Sequence, residues 1–114
     1  MPLVADPTDA LQENAAEVAA VLRALANERR LMILCGLVEL GEASVGTIAD
    51  GLGLGQSATS QHLARMREEG LVTFRRDGQT LWYRLADPRV RRLLDTLHDL
   101  YCRADAAGNK GAPR

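Results

Sequence analysis

The residues best suited to covalent chemistry in this 114-residue chain are its two thiols. Cys35 ends the run Leu31-Met32-Ile33-Leu34-Cys35, and Cys102 closes Leu97-His98-Asp99-Leu100-Tyr101-Cys102. A thiolate attacks sulfane sulfur or peroxide and binds thiophilic metals, and two thiols that meet can be bridged. The pair is far apart in sequence and forms no C-x-x-C, and a structural disulfide is not expected in a cytosolic chain. Cys35 is also readable as a buried apolar thiol on a packed helix, and Cys102 as an incidental one. His98 stands four residues before Cys102, on the same side of a helix, so a Cys35/His98/Cys102 zinc site is a further alternative. The expectation is a thiol pair with no metal and no cofactor.

A second set of residues suits nucleic acid. Gln56-Ser57-Ala58-Thr59-Ser60-Gln61-His62 is small and polar, and Leu63 and Met66 follow as anchors. Glutamine pairs with adenine through two hydrogen bonds, while serine and threonine reach bases or phosphates. A helix N-terminus itself favours a phosphate. Arg65 and Arg67 can follow the DNA backbone, and Arg75, Arg76 and Gln79 surround a hairpin tip suited to phosphates or a minor groove. The net charge of −1 conceals this basic half. From Gln56 to Arg92 the arginines are 65, 67, 75, 76, 84, 89, 91 and 92, against acids at 68, 69, 77 and 87. Charge alone fits a solvated surface equally well.

Elements must hold these residues in place. Hydrophobic content of 46% with 4% aromatic leaves packing to Leu, Ala and Val, which favours helices. Thr8 or Asp9 can cap a first helix with Leu11, Ala15, Val18, Ala19, Leu22 and Leu25 inward. Asn27 is a cap for a second, stopped by Gly41. Ser44 opens a third, Val45 to about Leu52, and Gly53-Leu54-Gly55 turns the chain into a fourth from about Ser57 to Glu69. Two short helices with a glycine turn form a helix-turn-helix. Alternating runs over 71–76 and 80–85 flank Asp77-Gly78, a hairpin signal. Asp87-Pro88 then starts a last helix with Val90, Leu93, Leu94, Leu97 and Tyr101. The fold expected is mainly α with a β-hairpin wing. It is a single winged helix-turn-helix domain over residues 1–114, ordered from about 9 to 104 with flexible termini.

The segments Leu25-Ala26-Asn27-Glu28-Arg29-Arg30-Leu31, Ser44-Val45-Gly46, Gln56 to Leu63, Arg75-Arg76-Asp77-Gly78-Gln79 and Tyr83-Arg84-Leu85 resemble the ArsR/SmtB family of bacterial repressors. The likeness spans roughly Ala16 to Arg103. It implies a homodimer through the first and last helices, with both wings straddling double-stranded operator DNA. Ala43-Ser44-Val45-Gly46-Thr47 lacks the thiols of the family's arsenic and cadmium sites. Asp87, Asp95, His98 and Asp99 do not complete its zinc site. The two cysteines instead resemble the family's reactive-sulfur-sensing branch, the SqrR/BigR/HlyU-like members, in which persulfides or polysulfides bridge the thiols and DNA is released. The third, N-terminal cysteine of some members is missing here. A sulfur bridge longer than a disulfide suits thiols too far apart for direct bonding. Which cysteine attacks first is open: a helix C-terminus disfavours a thiolate at Cys102, while Arg103 and His98 oppose that effect.

Two further responses fit the same fold, peroxide through a disulfide or a thiophilic metalloid. A thiol enzyme would need a base and a cleft. Only His98 approaches a thiol and the carboxylates are dispersed, so no enzyme is expected. A winged helix serving as a protein-interaction module is the remaining class. The N-terminus has no basic and apolar leader, and no apolar run nears the ~18 residues of a span, so a cytoplasmic protein without membrane association is expected.

Overall fold

The computed structural model describes residues 7–102. The expected flexible termini, and the part assigned to Arg103, lie outside the described residues. The chain divides after Leu31 into two compact units.

In the first unit, the helix expected to run unbroken to Leu25 is two helices, α1 (Pro7–Glu13) and α2 (Ala15–Leu25). α1 starts at Pro7, a favoured first helical position, so Thr8 and Asp9 lie inside it rather than before it. Asn14 makes the break. Its backbone N–H donates to the Ala10 and Leu11 carbonyls at 3.2 and 3.1 Å, and its side-chain amide donates to Ala10 at 2.9 Å. A side chain that competes for backbone acceptors in this way interrupts a helix without proline or glycine. Asn27 caps α3 (Glu28–Leu40) as expected, accepting from the Arg30 N–H at 3.1 Å.

The second unit holds the rest of α3, then β1 (Ala43–Ser44), α4 (Val45–Leu52), α5 (Gln56–Glu68), β2 (Val72–Asp77), β3 (Thr80–Leu85) and α6 (Pro88–Tyr101). Gly41 ends α3 with φ +81°. The Ser44 hydroxyl accepts from the Thr47 N–H and caps α4, and Gly53 closes that helix in the left-handed region at φ +67°. Asp87 caps α6, with Pro88 in its first turn. β1 was not legible as a strand: two residues are too few to alternate.

The sheet is antiparallel in the order β1-β3-β2, with Asp77 opposite Thr80 across a two-residue loop. Val72, Phe74, Tyr83 and Ala43 share the face that carries the core, whereas Thr73, Arg75, Trp82, Arg84 and Ser44 share the other. Ile33, Leu34 and Leu37 of α3, Ile48 of α4, Leu63 and Met66 of α5, and Val90 and Leu94 of α6 are buried with Val72 and Tyr83. Burying a side chain such as Leu63 or Met66 contributes about 1.5–3 kcal/mol. Two such anchors hold α5 from one side and leave its other side to polar residues. The architecture is a winged helix-turn-helix.

Candidate DNA interface and thiol pair

α5 presents Gln56, Ser57, Ser60, Gln61 and Arg65 as exposed side chains, with His62 half-buried. Gly55 precedes the helix and has no side chain to accept from the first-turn N–H groups. Those donors therefore add to the anion-attracting end of the helix. Thr59 departs from expectation. It is wholly buried, and its hydroxyl donates to the Gly55 carbonyl at 2.9 Å. Its position one turn before Leu63 places it on the anchoring stripe, so it holds the helix start and does not face a base.

The wing brings Arg76 and Gln79 out as exposed side chains at and beside the tip. Arg75 is also exposed but already engaged: its Nε and Nη2 donate to the two carboxylate oxygens of Glu42 at 2.9 and 3.0 Å. The Arg84 guanidinium lies 3.9 Å from the same carboxylate, and Arg75 lies 5.7 Å from the centre of the Trp82 ring. The hydrogen bond from Arg75 holds the Glu42 carboxyl below the usual carboxylate range, with both guanidinium charges adding to it. Sequence reasoning passed over Glu42, which is 33 residues from Arg75. Arg67, expected to follow the DNA backbone, lies over the Phe74 ring at 4.4 Å, and Phe74 meets Tyr83 edge-to-face at 5.3 Å.

Cys35 and Cys102 are both free thiols, Cys35 half-buried on α3 and Cys102 exposed at the end of α6. Burial raises the Cys35 pKa above the ordinary thiol value, and charge at Cys102 and at Glu39 pushes it further the same way. The Cys102 backbone N–H donates to the His98 carbonyl at 2.8 Å, which closes the last turn. Among the described residues no group of three or more His, Cys, Asp or Glu is placed to hold a metal ion, and no helix is long and apolar enough to cross a membrane.

Residues 27–73 match the family described as "Bacterial regulatory protein, arsR family". The chain is 46% identical over 95 residues to the transcriptional activator HlyU of Vibrio cholerae, covering 83% of this chain and 87% of that protein. The solved structure of the repressor BigR from Xylella fastidiosa superimposes with a TM-score of 0.78 at 37% identity, covering 85% of this chain and 98% of that one. A homodimeric winged helix-turn-helix DNA-binding domain from Mycobacterium bovis superimposes at 0.67 with 34% identity, over 100% of this chain and 99% of that one.

Proposed function

Since the chain belongs to the arsR family of bacterial regulatory proteins and is a transcriptional regulator rather than an enzyme, we propose that it is a cytoplasmic homodimeric repressor released from its operator by reactive sulfur. The observation that carries the reading is a pair of free thiols, Cys35 on α3 and Cys102 at the end of α6, with charge at Cys102 acting on the ionisation of Cys35.

The DNA-binding surface consists of Gln56, Ser57, Ser60, Gln61, His62 and Arg65 on α5 with Arg76 and Gln79 on the wing. In a dimer the two α5 helices enter successive major grooves about one DNA turn apart, and the operator is a palindrome. The dimer contact is made by α1 and α2, which replace the expected first helix, and by the last helix, α6. Leu11 and Leu22 are 57% and 51% exposed and Leu100 and Tyr101 67% and 76%, and a second copy is what would cover them.

The covalent step balances without an outside oxidant, because sulfane sulfur supplies the oxidation. A cysteine thiolate takes the terminal sulfur of a low-molecular-weight persulfide and releases the parent thiol. Once both cysteines carry a persulfide, the terminal sulfur of one attacks the sulfur bonded to the other residue's Cβ. Hydrosulfide leaves, and a trisulfide remains. This bridge ties α3 to α6 and shifts the dimer toward a form that binds DNA less well. Coupling of about 1–3 kcal/mol, roughly 5- to 150-fold in affinity, is typical of such linkage.

The test is operator binding by fluorescence anisotropy at fixed salt, on reduced, persulfide-treated and peroxide-treated protein, with intact mass spectrometry on each sample. Weakened binding and the mass of a sulfur bridge after persulfide alone, both lost in Cys35→Ser and in Cys102→Ser, is the expected result. Release by peroxide with loss of two hydrogens would identify a disulfide switch instead. Unchanged binding with inert thiols would remove the sulfur reading and leave the DNA-binding one standing.

A further inference from the structure

Glu42 is an acid set against the basic wing of a DNA-binding fold, and it sits where two strands bring arginines together. It follows Gly41, whose positive φ ends α3, and precedes β1 at the edge of the sheet. Strand alternation puts Arg75, Trp82 and Arg84 on the sheet face opposite Phe74 and Tyr83. Phe74 is the ring that Arg67 of α5 covers, so the face with Arg75 points away from the recognition helix. Arg75 gives Glu42 a two-point hydrogen bond, Arg84 adds its charge at 3.9 Å, and Trp82 flanks the Arg75 guanidinium. A fork-to-fork guanidinium–carboxylate pair fixes orientation as well as distance.

We propose that Glu42 is a positioning residue for operator binding: by holding Arg75 and Arg84 it ties the end of α3 to the outer face of the wing and sets where the hairpin tip lies. Arg75 and Arg84 are then structural members of the wing, and Arg76 and Gln79 are the groups that the tip delivers to DNA. Glu42 already takes two of the five Arg75 N–H donors, so a phosphate would have to compete with it for the two-point face of the guanidinium. Because α3 also carries Cys35, the clamp joins the wing to a thiol-bearing helix. The inference rests on the wing's part in operator binding proposed above.

The sign of one substitution separates this role from its rival. Removing an acid near DNA ordinarily strengthens binding, because it lessens repulsion of the phosphates. If Glu42 positions the wing, Glu42→Gln weakens binding instead. The experiment measures reduced protein by anisotropy across a salt series, with thermal melts to confirm folding. Glu42→Gln and Arg75→Gln are each expected to weaken binding about fivefold, the double variant no more than either single one, and the salt slope stays at the wild-type value. Arg76→Gln is the control for a phosphate contact and lowers the slope by about 0.9. Arg75→Lys keeps the charge but loses the two-point geometry; it is expected to bind as poorly as Arg75→Gln, and it carries the test if Glu42→Gln does not fold. Tighter binding by Glu42→Gln, or a slope reduced by about one in Arg75→Gln with Arg75→Lys unaffected, would make Arg75 a phosphate ligand and overturn the proposal. If Arg76→Gln leaves both affinity and slope unchanged, the wing reading itself fails, whatever Glu42 does.

Discussion

The Arg67 guanidinium lies 4.4 Å from the centre of the Phe74 ring, joining the last turn of α5 to the first strand of the wing. Phe74 in turn meets the buried Tyr83 edge-to-face, so the recognition helix is linked through one cation and two rings to both strands of the hairpin. A cation over an aromatic face contributes about 0.5–1 kcal/mol at an exposed site. Arg67→Ala is therefore expected to lower stability by about that amount and to weaken operator binding, because helix and wing lose a shared reference. Arg67→Lys keeps a cation on the ring and retains most of both. Equal losses in the lysine and alanine variants, read by thermal melts and anisotropy, would show that the contact with Phe74 does not matter.

Thr59 offers a test of which side of α5 meets DNA. Its hydroxyl is buried and donates to the Gly55 carbonyl at 2.9 Å, so Thr59→Val removes a hydrogen bond without emptying the site. The expected cost is about 1 kcal/mol of stability. Operator affinity, measured where both proteins are folded, is expected to stay within about twofold, since a base contact would be worth about 1–3 kcal/mol. A loss of that larger size, confined to one base position, would place Thr59 on the DNA face.

The glycine that closes α4 is required by its backbone and not by crowding. Gly53 has φ +67°, and a methyl group added there would meet nothing within 4 Å. Gly53→Ala is thus expected to cost only the left-handed penalty, about 1–2 kcal/mol, and Gly53→Asn less. Chemical denaturation of the two variants checks this ordering. Equal stability of alanine and glycine would mean that the turn rearranges.

What the sequence disclosed and what it hid follow from range. Ser44, Gly53, Asp77-Gly78 and Asp87-Pro88 act on neighbours within four residues, and their helix ends and hairpin stand where those signals put them. Asn14 breaks a helix through hydrogen bonds that a polar residue makes only when its rotamer allows, so the apolar spacing on either side masked it. Thr59 was misjudged by type, although its spacing with Leu63 and Met66 marks the buried stripe. The Glu42–Arg75 pair has no local signature at all, because the sheet that joins its members forms only through tertiary pairing. Among candidate DNA contacts, polarity found the helix but could not tell an outward arginine from one held by a carboxylate.

Asp87 gives α6 a pH-sensitive cap. The side chain of Arg89 donates at 3.2 and 3.0 Å and its backbone N–H at 2.9 Å, and together they hold the Asp87 carboxyl below its usual range. A folded-state pKa below the unfolded one gives stability that is present above the unfolded value, about 3.9, and is lost as pH falls toward the folded one. Asparagine is also a good cap, so Asp87→Asn removes the charge and keeps the cap. The melting temperature of wild type is expected to exceed that of Asp87→Asn between about pH 5 and 7, and the gap closes below about pH 4. A gap independent of pH would assign the difference to packing.

Exposure and ionisation together order the two thiols. Cys102 is exposed, whereas Cys35 is half-buried with its pKa raised, first by desolvation and then by charge at Cys102 and Glu39. At neutral pH the raised pKa leaves Cys35 with less thiolate than an ordinary cysteine, and the thiolate is the reactive form. Limiting iodoacetamide on the reduced, folded protein at neutral pH is therefore expected to alkylate Cys102 before Cys35, as peptide mapping by mass spectrometry would show. Cys102→Ser removes one of the charges that oppose ionisation, so in alkaline solution Cys35 reacts faster in that variant than in wild type. Under the persulfide switch proposed above, the same order is expected, with Cys102 taking sulfur before Cys35. Alkylation of Cys35 first, or a Cys35 rate indifferent to Cys102→Ser, would reverse the order or separate the two thiols altogether.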